Sequence, residues 1–198
     1  MIASQRFRPD VVAKREAFLA EVAAIPAERL VFVDESGIQI GARSAYGFAP
    51  IGTRCVEVAP FRVGKRVNLI GWMAATCGSV RAHEGSVKAP HFEAFVAESL
   101  VPCLEEGDVV IWDNARIHSP AAIALVEAVG ARVLPQPPYS PDLNAIEPMW
   151  SKVKAIVKQK LADARDALLD ALDEAVSAVT PSDASGWIAH CGYAFLPD

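Results

Sequence analysis

The chain has 198 residues, a formal net charge of -5 and 52% apolar residues. Leu, Ile, Val and Phe are too abundant for a disordered chain, and a chain this long buries enough surface to fold without a disulfide or metal staple. Its longest apolar stretch, Val67 to Cys77, is interrupted by Asn68 and falls short of the ~20 residues a spanning helix needs, so no membrane role is expected.

The first residues lack the apolar core of a signal peptide. Cys55, Cys77, Cys103 and Cys191 are scattered, with no close pair and no histidine at finger spacing. They read as free thiols of a reducing cytoplasm, not as a zinc site. The acidic balance argues against a protein that grips nucleic acid over its whole surface, but leaves room for a local basic groove.

Taken along the chain, the pattern predicts a helix within 10–29, ending near Pro26, with Val12, Phe18, Leu19 and Val22 as its apolar positions. Leu30 to Val33 is a short buried strand closed by Asp34. Residues 36–64 mix Gly, Pro, Arg and aromatics and read as a hairpin or long loop. Val67 to Thr76 is a strong strand, Gly78-Ser79 a turn, and Val80 to Glu84 a half-exposed strand. Pro90 opens a helix to about Leu104. Val109 to Trp112 is a second buried strand closed by an acid, Asp113. Ser119-Pro120 caps a helix to about Val129, and Arg132 to Leu134 is a short strand. A proline-rich loop, 135–141, leads into a helix that runs to about Leu161. Its buried stripe is Ile146, Met149, Trp150, Val153, Ile156 and Val157. A last helix covers 163–179.

Three strands, then alternating helices and strands, give a mixed α/β sheet with helices on its faces. Ligand sites in such sheets form where the connections reverse direction, at the carboxyl ends of neighbouring strands. The strands ending in Asp34 and Asp113 are the expected neighbours. Alternation puts Leu30 and Phe32 on the face of Asp34, and Val109 and Ile111 on the face of Asp113. A lone strand-end aspartate is usually a turn residue; two on adjacent strands point to function. Glu147 follows at a helix start, where Pro148 is tolerated and the helix dipole favours an acid. Four prolines in seven residues stiffen the loop before it. Three carboxylates without a supporting His or Cys suit hard cations such as Mg²⁺ or Mn²⁺. Two such ions activate a water or 3′-hydroxyl and stabilise a leaving oxygen at a phosphodiester. Glu35 is expected to point away from Asp34, and is left out of the site.

Val33-Asp34-Glu35-Ser36-Gly37, Trp112-Asp113-Asn114-Ala115-Arg116-Ile117-His118 and Pro138-Tyr139-Ser140-Pro141-Asp142-Leu143-Asn144-Ala145-Ile146-Glu147 together resemble the DDE transposases, nearest the bacterial insertion-sequence branch related to mariner elements. Thirty-three residues separate Asp113 from Glu147, close to the spacing of that branch. The resemblance covers about residues 28–160. It implies a ribonuclease-H-like α/β fold with a mixed five-stranded sheet flanked by helices. It implies that Asp34 and Asp113 bridge two metal ions and that Glu147 completes one of them. It implies cleavage at transposon ends, attack of the freed 3′-hydroxyl on target DNA, and a homodimer on paired ends.

The implied division is a linker helix at 1–28, the catalytic domain at 29–180 and a C-terminal extension at 181–198. Two departures stand out: Ala145 replaces the family's usual proline, and the roughly thirty residues before the first strand leave no room for helix-turn-helix modules. Those modules are then expected on a separately encoded subunit, or this copy is a truncated remnant. A ribonuclease-H-like nuclease without strand transfer, and an inactive accessory protein binding DNA or a partner, are the alternative functions. The expected location is the bacterial cytoplasm, at the nucleoid.

Asn114 and His118 are candidate supporting residues; His118 is equally explained as a structural helix-entry histidine. Ser140 either holds a phosphate at the following helix start or merely caps it. Lys152, Lys154, Lys158 and Lys160 cluster after Glu147, and Arg43, Arg54, Arg62, Lys65 and Arg66 after Asp34. Both clusters suit the walls of a DNA groove, with Lys154 and Lys158 nearest the face of the acid. Trp112 and Trp150 are expected in the core.

Overall fold

The computed structural model describes residues 4–44, 47–56, 64–160 and 164–195. Helix α1 (Pro9–Val22) precedes strand β1 (Leu30–Gln39). Strands β2 (Arg66–Met73) and β3 (Gly78–Glu84) follow, then helix α2 (Ala89–Phe95), strand β4 (Val109–Trp112), helix α3 (Pro120–Glu127) and strand β5 (Arg132–Pro135). Three helices close the chain: α4 (Glu147–Gln159), α5 (Arg165–Ser177) and α6 (Pro181–His190). The sheet order is β3-β2-β1-β4-β5. β2 and β3 continue antiparallel from β1, whereas β4 and β5 run parallel to it. The expected five-stranded mixed sheet is thus present, with β1 and β4 adjacent.

Alternation along the strands divides the core between two faces. Leu30, Phe32, Leu69, Val109 and Ile111 pack under residues of α1, α4, α5 and α6. Val31, Val33, Ile70, Trp72, Val110 and Trp112 pack against residues of α2 and α3. Trp112 and Trp150 are both 2% exposed, as core residues should be.

Several boundaries differ from the sequence reading. α1 ends at Val22, before the expected end near Pro26, and presents Val11, Arg15, Phe18 and Val22 inward. Val12 and Leu19 are 38% and 41% exposed. Phe18 and Val22 face the core as expected, whereas Val11 and Arg15 take the places expected of Val12 and Leu19; Arg15, a charged residue, is accommodated there by its pairing to Asp142. β1 does not close at Asp34 but runs five residues further, to Gln39, with β2 alone as partner beyond Phe32. Ser36, Gly37 and Gln39 read as loop because the apolar run stops at Val33, and the pairing that extends the strand is made by the distant β2. The helix expected from Pro90 to Leu104 is α-helical only to Phe95, then passes through a π turn (Val96–Leu100) and a 3₁₀ turn ending at Cys103. Ile156 is half-buried rather than core. The last expected helix is α5, and α6 is an additional one. Thr180 caps α6 by accepting from the Asp183 amide, while Asp183 accepts from Thr180, a local signal the sequence does carry.

One small residue sets how closely α4 approaches the sheet. Gly71 lies opposite Asp34 in the β1–β2 ladder, and a Cβ there would meet Trp150 Cη2 at 2.6 Å. Trp150 stands three residues after Glu147 on the same helix. The missing side chain on β2 therefore lets α4 settle against β1 and brings its first turn towards Asp34.

Candidate active site

The parallel pairing of β1 with β4 ends at Phe32 opposite Ile111. Asp34 and Asp113 each stand two residues beyond that pair, so they emerge on the same face of the sheet. Glu147 is the first residue of α4, lowered onto that face by the Trp150–Gly71 contact. All three line one open cavity of about 400 Å³, together with Asn114, Gln136, Tyr139 and Asn144. Elements far apart in sequence are thus brought to one place: β1, the end of β4, and the start of α4.

The environment of Asp34 is unlike that of a surface acid. Its Oδ1 accepts from the Glu35 amide at 2.8 Å and its Oδ2 from Asn144 Nδ2 at 3.1 Å. Burial, followed by the negative charges of Glu147 and Glu35, raises its pKa to about 7. Asp113 is more open, its side chain 59% exposed, with Oδ1 accepting from the Ala115 amide at 2.8 Å. Carboxylates gathered on one cavity repel one another, and a divalent cation bound among them would relieve that repulsion. Their oxygen-only donors fit Mg²⁺ or Mn²⁺. Asn144 adds a second sign: it is 7% exposed, and its Oδ1 has no hydrogen-bond partner among the described residues.

The loop before α4 is held from several sides. Gln136 Nε2 donates to the Ser140 carbonyl at 2.6 Å, and Tyr193 donates its hydroxyl to the Leu143 carbonyl at 2.6 Å. Asp142 receives both Arg15 nitrogens, at 3.1 and 2.8 Å, and Arg6 at 2.9 Å. Burial opposes the ionised form of Asp142, but Arg15 and Arg6 outweigh it and lower its pKa. Tyr139 adopts φ 55°, a left-handed conformation uncommon for an aromatic residue. None of Gln136, Tyr139 or Asn144 reads from the sequence as a site residue. Their placement against the acids depends on the loop path alone.

The supporting residues divide. Asn114 Nδ2 donates to the Gln136 carbonyl at 2.9 Å, tying the end of β4 to the loop after β5. His118 lies behind Asp113, not in the cavity, and its side chain is 3% exposed. Nδ1 meets the Asp113 carbonyl at 2.7 Å, and Nε2 meets Glu35 Oε1 at 2.9 Å. Burial opposes a charged ring, yet Glu35 and Asp113 outweigh it and raise the pKa of His118. Glu35 does point away from Asp34, as expected, but it does not thereby leave the site. Reaching the opposite face places it on His118 and, through the ring, behind Asp113. Ser140 is buried, and its hydroxyl donates to the Pro138 carbonyl rather than capping a helix.

The basic residues sort by partner. Lys152 is paired to Asp183 and Lys160 to Glu174. Lys154 and Lys158 have no such partner among the described residues. They share a second cleft with Gly37, Arg43 and Arg66. Burial, and then the neighbouring Arg66 and Lys158 charges, depress the pKa of Lys154 against the opposing pull of Glu147. Arg54 is exposed on the loop after β1, and Lys65 is exposed just before β2; neither lines that cleft. Arg62 lies outside the described residues.

A mixed sheet in this order, carrying one acid on β1, one just beyond β4 and a third on a covering helix, is the ribonuclease-H-like architecture. The family described as DDE superfamily endonuclease matches residues 29–169, most of the chain, and the chain belongs to it. No curated protein matches it in sequence. Among solved structures, the Mos1 transposase paired-end complex with left transposon end aligns with TM-score 0.74 at 18% identity, over 96% of this chain and 62% of that one. The catalytic domain of Mos1 mariner transposase aligns with TM-score 0.62 at 17% identity, over 96% and 90%. The same catalytic domain with Raltegravir and Mg gives 0.63 at 17% identity, over 96% and 92%. The chain thus spans about 62% of the Mos1 chain in the paired-end complex. The family and fold implied by the three motifs are borne out. No helix among the described residues is long and apolar enough to cross a membrane.

Proposed function

We propose that this chain is the catalytic part of a transposase, which hydrolyses phosphodiesters at transposon DNA ends and joins the freed 3′-hydroxyl to target DNA. The observation that carries this reading is the convergence of Asp34, Asp113 and Glu147 on one cavity, in a chain of the DDE endonuclease family. In this reading the three carboxylates hold Mg²⁺ or Mn²⁺, two ions per site. Ions held there supply an activated water or 3′-hydroxyl and a charge to stabilise the leaving oxygen. The chain's own residues do the placing. Asn144 fixes one oxygen of Asp34, Ala115 and His118 orient Asp113, and the braced loop sets the first turn of α4 that carries Glu147. Asn114 and Gln136 keep the end of β4 and the loop in register.

DNA phosphates are assigned to the cleft of Arg43, Arg66, Lys154 and Lys158, a positive patch in an otherwise acidic chain, whose Lys154 feels the charges of Glu147 and Asp34. Arg54, Lys65 and Ser140 have less support as contacts. Transposon-end and target DNA are the proposed partners, bound by a homodimer, with a helix-turn-helix subunit supplying end recognition at the bacterial nucleoid. Mos1 transposase was solved as paired-end and strand-transfer complexes, and its catalytic domain with Mg and with Mn.

The test is Asp113→Asn assayed on labelled transposon-end duplex with Mg²⁺. The expected result is loss of cleavage with the thermal melting point kept. Cleavage retained at the wild-type rate overturns the assignment. Hydrolysis by the wild type with no joining of a pre-cut end would make the chain a nuclease without strand transfer.

A further inference from the structure

Asp113 poses a positioning problem. It follows the last residue of β4 and its carboxylate stands mostly in solvent, yet a metal-binding or catalytic carboxylate must be held within a fraction of an ångström. Apart from the Ala115 amide, the group that meets it is His118, whose Nδ1 lies 2.7 Å from the Asp113 carbonyl and 3.3 Å from Oδ1. That ring is itself fixed. It is 4.4 Å from the Phe92 ring and 5.2 Å from the Trp112 ring, centroid to centroid, in a closed pocket between α2 and the sheet. Its remaining nitrogen, Nε2, meets Glu35 Oε1 at 2.9 Å.

The orientation of the ring decides what it offers Asp113. Both acceptors near Nδ1 are oxygens, so Nδ1 must carry a hydrogen and donate. An imidazole with its proton on Nε2 alone would instead set a lone pair against the Asp113 carbonyl. A carboxylate at Nε2 holds the ring in place and accepts from that side. The flanking aromatics restrict the ring's plane but not its rotation within that plane. Glu35 fixes that rotation: the pleat sends it to the face opposite Asp34, where it meets Nε2 at 2.9 Å and leaves Nδ1 turned towards Asp113.

We propose that Glu35 is a positioning residue: acting through His118, it orients the Asp113 carboxylate from the far side of the sheet. Neighbouring residues on β1 then serve the two strand-borne acids. Asp34 enters the cavity itself, while Glu35 braces Asp113 from behind. The inference rests on the metal-binding role proposed above and adds a residue to it.

Two conservative variants separate positioning from simple charge. Glu35→Gln removes the charge but keeps the length and a hydrogen-bonding oxygen. Glu35→Asp keeps the charge but withdraws the carboxylate from Nε2 by one methylene. Positioning predicts that Glu35→Gln binds Mn²⁺ within about threefold of wild type, while Glu35→Asp loses about tenfold or more, the scale seen for outer partners of metal ligands. A charge effect predicts the reverse order, and finding that order, or no difference, overturns the proposal.

Mn²⁺ binding is read by electron paramagnetic resonance on the full chain without DNA. The metal-free protein gives an independent reading through the Ala115 amide, which bonds Asp113 Oδ1. Its NMR signal should move in Glu35→Asp and stay near the wild-type position in Glu35→Gln. If the wild type binds no Mn²⁺, the metal assignment fails, and the amide signal still decides the positioning role.

Discussion

Replacing Asp34 by Asn should stabilise the metal-free protein, and the gain should depend on pH. In the folded chain burial and the charges of Glu147 and Glu35 lift the Asp34 pKa from 3.8 to about 7. The folded state therefore binds a proton that the unfolded chain has released. The penalty is absent below the unfolded value, grows between about pH 4 and 7, and is full above the folded value. At about 1.4 kcal/mol per unit, a rise of roughly three units sets an upper bound of about 4 kcal/mol, and a carboxylate with solvent on one side should show about 1–3 kcal/mol.

The substitution keeps one hydrogen bond and reverses the other. The new amide oxygen accepts from the Glu35 N–H as before. Its NH₂ faces Asn144, whose Oδ1 lacks a partner among the described residues and becomes the acceptor once that amide turns over. Urea unfolding in EDTA, followed by fluorescence of the four tryptophans, measures the difference between about pH 5 and pH 8. The Asp34→Asn protein should exceed the wild type by the stated margin at the higher pH and approach it at the lower. A wild type whose stability does not fall relative to the variant over that range, or a variant less stable at the higher pH, would show that its surroundings do not penalise the Asp34 charge. Saturating Mg²⁺ should reverse the order at the higher pH, because the cation stabilises only the folded state that binds it.

Other expectations concern the frame and the groove. Gly71→Ala drives a Cβ to within 2.6 Å of Trp150, deep in the core, and should lower stability by about 1–3 kcal/mol in chemical unfolding; an unchanged midpoint would show that α4 is not seated by this contact. Arg15→Ala removes two hydrogen bonds to Asp142, and should destabilise by about 1–3 kcal/mol and speed exchange of the Asn144 amide hydrogen. Unaltered exchange would mean the loop is held without α1. Lys154→Ala with Lys158→Ala should weaken DNA binding about equally across sequences and reduce the salt slope by about two, whereas Lys152→Ala, already paired to Asp183, should change it little. Equal slopes for the two proteins would move the DNA off this cleft.

Local patterns in the chain determined the strands, their neighbours and the three acids. Apolar runs mark Leu30–Val33 and Val109–Trp112 as buried, and the two-residue pleat puts Asp34 and Asp113 on the face of Phe32 and Ile111. Pro148 fixes Glu147 at a helix start because proline fits only there. These features are set within a few residues, so they can be read in order along the chain. Packing settles the rest, for residues whose partners are distant in sequence. The Glu35–His118 contact spans 83 positions, Asn144–Asp34 spans 110 and Arg15–Asp142 spans 127. No periodicity encodes such pairs. Glu35 reads correctly as facing away from Asp34, but its meaning depends on His118, which the turn between β4 and α3 brings there. Lys152 and Lys154 are near neighbours of one type on one helix, yet α6 neutralises the first and the Arg66 cleft receives the second. The cause is geometric: a strand or helix fixes the direction of a side chain, and only the packing of the remaining elements fixes what waits in that direction.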